Sequence, residues 1–255
     1  MPGTMSSSSE APQDTSGACV ENHPRPVVLI LSGQSVFAES HNTAPLHEIS
    51  SDVCSVSNKN ASVRFERVEQ SVQDETNEDK LMPAPPRRHL FYLVHPSNAQ
   101  YRTDIAAKYY ITCVAPEMIG NVRLEVAESR LRRTSFRVML SANRTASDNP
   151  LFDQNEEQSV LFNIRPISQA AHCRYIWSDS NGSEVAKDQR TGGTHKLALS
   201  GPLSQQLRDM IVAAWLLRLW YDTAESRQAK KQFFESMASV EGSTDPYMKR
   251  QCDLM

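Results

Sequence analysis

Hydrophobic and polar residues alternate in several segments of this chain with the period of two that is typical of half-buried β-strands. The stretch Ser62–Val68 shows the pattern most clearly, because Val63 and Phe65 fall on one face and Arg64 and Glu66 fall on the other. Segments of this kind recur between turn signals, which predicts a protein built mainly from short strands.

Twelve such strands are predicted. They are Val27–Leu31, Ser35–Glu39, Leu46–Ile49, Ser62–Val68, His89–Val94, Tyr109–Val114, Asn121–Val126, Ser135–Leu140, Ser159–Ile164, His172–Trp177, Glu184–Lys187 and Thr194–Leu199. The strongest hairpin signal is Asn181-Gly182, because this dipeptide tolerates the positive φ angles that a tight turn requires.

The stretch from Ser200 to about Phe234 has a different pattern and predicts a long helix. Its eight residues from Met210 to Leu217 are all apolar, and projection at the helical period places apolar side chains on both faces. A surface helix carries a single apolar stripe, so this helix is expected to be enclosed by the rest of the chain. Pro202 is predicted to occupy the first helical position.

A membrane-spanning helix is a poorer interpretation of the same stretch. Arg208, Asp209 and Arg218 leave eight uninterrupted apolar residues, whereas about 20 are needed to cross a bilayer. The prediction is therefore a mainly β protein, with a closed antiparallel barrel of about twelve strands around a central C-terminal hydrophobic helix. Closure removes exposed strand edges, and the helix fills the interior of a wide barrel.

The distribution of polar residues predicts the limits of this domain. Residues 1–24 are Ser-rich and are expected to form a disordered tail. The barrel is predicted to span 25–234, with an acidic and Pro-rich insert at 69–88 that forms a linker or a long loop. Residues 235–255 are expected to be a flexible C-terminal tail.

Composition narrows the class of protein. The chain has 255 residues, a net charge of −3 and five cysteines without close pairing, which favours a reducing compartment over a disulfide framework. The N-terminal residues lack the apolar core of a signal peptide, so a soluble cytoplasmic protein is expected. Nucleic acid is not an expected partner, because the charge is not basic and no helix-turn-helix or zinc pattern is present.

The order of several segments resembles the tubby C-terminal-like (LURP-one-related) superfamily, in a divergent form found among fungal proteins. These segments are VVLILSGQSVFAE, APLHEI, SVRFERVE, HLFYLVHP, YYITCVAPEMIGNVRLE, YIWSDSNGSEVA with KLAL, and LSQQLRDMIVAAWLLRLW. The resemblance covers roughly Pro26 to Tyr221 and implies a twelve-strand barrel threaded by its C-terminal helix. It also implies a scaffold or regulatory role and, as in tubby proteins, binding to membrane phosphoinositides.

Motifs for enzymatic chemistry are not found in the sequence. It contains no HExxH, CxxC, Gly-x-Ser-x-Gly, Gly-x-Gly-x-x-Gly or phosphate-loop pattern. No metal site, catalytic residue or cofactor is therefore predicted. A catalytic site assembled from scattered residues stays open, because such sites are defined by geometry rather than by sequence order.

The densest basic segment contains Arg130, Arg132, Arg133 and Arg137, with Arg123 upstream. Guanidinium groups on one strand face bind phosphate oxygens well, so these residues are predicted to contact a lipid headgroup. The alternative is a solvated strand face whose charge is balanced by the acidic residues at positions 125 and 128.

The last four residues, Cys252-Asp253-Leu254-Met255, match the prenylation pattern, and methionine at the last position favours a farnesyl group. One prenyl chain with two basic residues upstream gives only marginal membrane residence, since stable anchoring takes two signals. Cys252 is therefore a predicted lipidation site on a transiently membrane-associated protein.

Two functions follow from the sequence. The first is a non-enzymatic intracellular binding or scaffold protein whose partners are membrane phosphoinositides or other proteins. The alternative is an enzyme or accessory factor of a specialised metabolic pathway, with a small-molecule pocket in the barrel. A pocket lined by convergent polar groups would favour the alternative, and a filled barrel with basic side chains gathered outside would favour the first. The sequence does not define an oligomeric state.

Overall fold

A computed structural model describes most of the predicted barrel. The described residues are 27–40, 44–55, 61–69, 85–96, 107–127, 134–141, 159–167, 173–225, 231, 234 and 235. Within them, the strands are β1 (Val27–Ser32), β2 (Ser35–Ala38), β3 (His47–Ile49), β4 (Ser62–Val68), β5 (Arg87–Val94), β6 (Tyr110–Cys113), β7 (Asn121–Ala127), β8 (Ser135–Ser141), β9 (Ser159–Pro166), β10 (Cys173–Asp179), β11 (Glu184–Thr191) and β12 (Thr194–Leu199).

These twelve strands form a closed antiparallel barrel in which each strand pairs with the next in sequence. The ring closes between β12 and β1, where Val27 lies opposite Leu199. The predicted fold class is thus confirmed, and every predicted strand is present with shifts of a few residues at its ends. The largest consequence of such a shift is that Arg87 and Arg88, placed in the insert by the sequence pattern, begin β5.

The hairpin between β10 and β11 forms at Asn181-Gly182 as predicted. Gly182 has a φ of 85°, a conformation that residues with a side chain rarely adopt. One carboxylate oxygen of Asp179 accepts hydrogen bonds from the backbone N–H groups of Asn181 at 2.9 Å and Ser183 at 2.8 Å. The aspartate thereby fixes the tight turn that sets the register of both strands.

The helix α1 comprises Gln205–Ala224. Its N-cap is Ser204, whose hydroxyl accepts a hydrogen bond from the N–H of Leu207 at 3.3 Å. The prediction that Pro202 takes the first helical position was therefore wrong. Serine is the more effective residue at the helix start, because its hydroxyl accepts a hydrogen bond from a backbone N–H that has no partner within the helix. Proline only lacks an N–H that would otherwise be unpaired.

The middle of α1 is buried on all faces. Every residue from Asp209 to Trp220 is buried, and Trp215 and Leu216 have no exposed surface. The prediction that this is not a surface helix is confirmed. Among the described residues, no helix is long and apolar enough to span a membrane.

Two buried charged residues connect α1 to the barrel wall. Asp209 accepts a hydrogen bond from Arg67 of β4 at 2.8 Å and lies 2.8 Å from His47 Nε2 of β3. Arg218 pairs with Asp188 of β11, and its guanidinium lies 4.6 Å from the ring centroid of Tyr175 in β10. Because β4 and β10 occupy opposite positions in the ring, α1 contacts the barrel wall on two opposite sides.

The pair between Arg218 and Asp188 is fully enclosed, since neither side chain has exposed surface. Burial raises the pKa of Asp188, and the nearby guanidinium of Arg218 opposes that shift. Arg218 also donates to Asp222 at 2.8 Å, one helical turn further along α1. The cation is therefore shared between a strand and its own helix, which fixes both the rotation and the axial position of α1.

Candidate functional site

A groove lies between β7 and residues 107–109, which directly precede β6, close to the end of α1. The N–H of Leu124 donates to Tyr109 O at 2.8 Å, near the point where the described pairing of β6 with β7 stops. β7 continues to pair with β8 as far as Ala127. The groove has a volume of about 710 Å³ and is lined by Ala107, Lys108, Tyr109, Arg123, Leu124, Glu125, Val126, Ala127, Arg137, Tyr221 and Glu225.

Strand alternation and register bring three charged residues of the groove together. Arg123 and Glu125 are two residues apart on β7 and therefore point to the same side, and Arg137 of β8 lies directly opposite Glu125. One carboxylate oxygen of Glu125 is 2.6 Å from Arg123 Nη2, and the other is 3.2 Å from Arg137 Nη2. Glu125 thus bridges two arginines.

Both arginines keep hydrogen-bonding capacity for a ligand. A guanidinium carries five N–H donors, and the contacts with Glu125 involve Nη2 of each side chain. The Arg123 side chain is 21% exposed and the Arg137 side chain is 56% exposed. The exposed Lys108 also lines the groove. Together with the two arginines it gives the groove three cationic groups, compared with two carboxylates, those of Glu125 and Glu225.

The aromatic wall of the groove is held by a histidine. His95 stacks on Tyr109 with ring centroids 4.2 Å apart, and its Nδ1 donates to the carbonyl oxygen of Lys108 at 3.1 Å. Burial lowers the pKa of His95 and raises that of Tyr109, so both side chains are neutral near pH 7. The Tyr109 hydroxyl lies 3.4 Å from His95 Nε2 and 3.5 Å from a carboxylate oxygen of Glu225.

The structure places only part of the predicted site. Arg137 lies on β8 and lines the groove together with Arg123. The other predicted headgroup ligands, Arg130, Arg132 and Arg133, are outside the described residues, as is the predicted lipidation site Cys252. The expected acidic balance is present at Glu125, which pairs with both described arginines.

Lys108, Tyr221 and Glu225 were not identified from the sequence. The pairing of Tyr110 with Arg123 places Lys108 near the basic cluster, so an assumed register for the β6–β7 pair would have suggested it. Tyr221 and Glu225 reach the groove only because α1 ends there. The sequence has no signal for that contact, because it depends on how α1 packs against the strands.

Metal and thiol chemistry have no structural support at the described positions. No group of three or more His, Cys, Asp or Glu side chains in that part of the chain is arranged to hold a metal ion. Among the described residues, Cys54, Cys113 and Cys173 are not in disulfide bonds. Burial raises the pKa of Cys54 to about 12, so this thiol stays protonated and is a poor nucleophile at neutral pH.

Comparison with known proteins does not assign the chain to a family. No protein-family model matches the sequence, and no curated protein has significant sequence similarity to it. The resemblance to the tubby C-terminal-like superfamily therefore stays a prediction, while the groove is defined by the geometry of its own side chains.

Proposed function

We propose that this chain is a non-enzymatic binding or scaffold protein that attaches to membranes by binding phosphoinositide headgroups in the groove between β7 and residues 107–109. The observation that carries the proposal is the convergence of Arg123, Arg137 and Lys108 on one groove. Arginine forks match the geometry of phosphate oxygens, and a lysine adds a compact charge.

The buried helix supports a binding role over catalysis inside the barrel. Its side chains from Asp209 to Trp220 are enclosed, and those of Asp209 and Arg218 are held by ion pairs with the wall. The cationic groups lie instead on a groove at the barrel surface. This is the arrangement expected of a rigid scaffold with an external anion site.

Co-sedimentation with vesicles tests the proposal. The full chain is mixed with phosphatidylcholine vesicles that contain 5% phosphatidylinositol 4,5-bisphosphate, or with vesicles matched in charge by phosphatidylserine. We expect preferential binding to the first. The double variant Arg123→Ala with Arg137→Ala should lose about tenfold or more in affinity, because each charge-assisted hydrogen bond contributes roughly 1.5–3 kcal/mol.

Arg87→Ala is the matched control. Arg87 is an exposed arginine paired with Glu48 at 2.9 Å, and neither residue lines the groove. This variant should bind the phosphoinositide vesicles as the parent protein does. Equal binding of the parent to both kinds of vesicle, or equal loss in the groove variant and the control, would contradict the proposal.

The second candidate function is that of an enzyme or accessory factor with a small-molecule pocket. The contact of the Tyr109 hydroxyl with His95 Nε2 and Glu225 favours it, because three titratable groups meet at the groove wall. Native mass spectrometry of protein purified from its natural source would identify a bound metabolite. Loss of that metabolite in a Tyr109→Phe variant with unchanged vesicle binding would support this function over the first.

A further inference from the structure

Glu125 occupies the position that a ligand anion would take between Arg123 and Arg137. Each of its carboxylate oxygens contacts one arginine, at 2.6 and 3.2 Å. The carboxylate is therefore an anion supplied by the protein itself, and any ligand that bridges the same two guanidinium groups must displace it.

We propose that Glu125 acts as a tethered competitor that makes the groove selective for phosphomonoester dianions. This inference rests on the proposed function, because it concerns the same groove. It adds the class of phosphate that is bound and the residue that determines the selection.

The selection follows from the charge and the number of oxygens of the competing anions. A ligand carboxylate or a phosphodiester brings one negative charge and two free oxygens, so it only repeats the contacts that Glu125 already makes. A phosphomonoester carries a charge of about −1.5 to −2 at pH 7 and three free oxygens. It therefore adds charge, and its third oxygen is available to Lys108, which lines the same groove.

Displacement of Glu125 requires no change in the barrel. Its side chain is 29% exposed and has three rotatable bonds, so the carboxylate can turn toward solvent while β7 keeps its pairing with β8. The donors that receive the ligand are the Nη2 groups of Arg123 and Arg137, which Glu125 releases.

The test compares two simple probes at pH 7.5 by NMR titration of the arginine side-chain N–H signals. Glycerol 2-phosphate represents a phosphomonoester, and dimethyl phosphate represents a phosphodiester. We expect the parent protein to bind the monoester at least tenfold more tightly than the diester. The Glu125→Gln variant should bind both about five to ten times more tightly than the parent, and its preference for the monoester should fall.

The control is Glu48→Gln, which removes the same charge from another arginine–glutamate pair, outside the groove. It should leave both affinities within about twofold of the parent values, which separates local competition from a change in net charge. A second readout is pH. Below about pH 6 the monoester loses its second charge, so the preference for the monoester should shrink in the parent protein.

The source of the phosphate is distinguished by two further probes, soluble inositol 1,4,5-trisphosphate and phosphatidylcholine vesicles with 5% phosphatidylinositol 4,5-bisphosphate. If the lipid headgroup is the ligand, vesicles bind more tightly than the soluble compound. If free phosphorylated compounds are the ligand, the soluble probe binds without further gain from the vesicle.

The outcomes separate this inference from the proposed function. If the parent prefers phosphomonoesters and the Glu125→Gln variant keeps the same affinities and preference, the inferred role of Glu125 is wrong, whereas the proposed phosphate site is still supported. If neither protein binds any phosphate probe, both proposals fail. If only the Glu125→Gln variant binds, Glu125 blocks the groove to every phosphate probe instead of selecting among them, and both the inferred selectivity and the proposed function of the parent chain are wrong.

Discussion

Arg218 of α1 and Asp188 of β11 form an ion pair in which neither side chain is exposed to solvent. The pair lies within an otherwise apolar stretch of the helix, next to Trp215 and Leu217. Removal of Asp188 leaves the buried guanidinium of Arg218 with Asp222 as its remaining paired carboxylate, and breaking a buried pair is far more costly than the loss of an exposed pair.

We expect Asp188→Asn to lower the free energy of unfolding by about 3–5 kcal/mol, measured by urea denaturation. The double variant Asp188→Leu with Arg218→Met should recover most of this loss, because it removes both charges. Glu39→Gln disrupts the more exposed pair with Lys196 and should cost less than about 1 kcal/mol. A loss in Asp188→Asn no larger than in Glu39→Gln would contradict a stabilising role for the buried pair.

Gly120 allows β7 to approach β8 closely, and we expect its replacement by alanine to be costly. A Cβ at Gly120 would lie 2.6 Å from the backbone oxygen of Ser141, and the residue has a φ of 137°. Gly120→Ala should destabilise the protein by about 2 kcal/mol or more, because strain adds to the clash. At Gly182, where φ is 85° and nothing lies within 4 Å, the same change should cost only about 1 kcal/mol. Thermal denaturation of both variants compares the two, and equal losses would argue against the close approach.

His195 should make the protein less stable in acid. Its pKa is lowered to about 4, by burial first and then by Arg190, Arg218 and Arg174, whereas an unfolded histidine titrates near 6.5. Between about pH 6.5 and 4 the unfolded chain therefore binds a proton that the folded chain does not, so stability falls as the pH falls. The urea midpoint of His195→Gln should decline less over this window than that of the parent. Thr194→Ala, on the same strand without a titratable group, should follow the parent curve.

Ser204 rather than Pro202 should determine the start of α1. Ser204→Ala removes the hydroxyl that accepts from Leu207 N, and N-cap substitutions of this kind cost about 1 kcal/mol. Pro202→Ala lies before the cap and should change the unfolding free energy by less than about 0.5 kcal/mol. The reverse order of the two effects in urea denaturation would place the helix start at the proline.

The number of strands, the alternation of buried and exposed side chains along them and the burial of α1 were predictable, because each depends on the pattern of residues close together in the sequence. Val63 and Phe65 are fully buried while Arg64 is exposed, as a period of two requires. The helix start was missed because Pro202 was taken as the signal, whereas Ser204, two residues later, is of a residue type preferred at the N-cap. Only the hydrogen bond to Leu207 N decides between them.

The long-range partners were not predictable from local pattern. In the sequence, Arg218 interrupts an apolar run, and its contact with Asp188 depends on how α1 packs against β11. The groove depends similarly on where the pairing of β6 with β7 stops, as well as on the end of the helix. The basic cluster and its acidic balance were visible because Arg123, Glu125 and Arg137 belong to one hairpin.

The pairing of β1 with β12 has a consequence for synthesis on the ribosome. The ring can close only after β12 has been synthesised, because Val27 of β1 pairs with Leu199 of β12. The helix α1 is synthesised after β12, and its side chains form much of the hydrophobic core. A nascent chain that has emerged only as far as β11 therefore has two unpaired sheet edges and an apolar face without its helix. Such intermediates fold slowly and aggregate readily, so the yield of folded protein should depend on chaperones that hold the chain until α1 has left the exit tunnel.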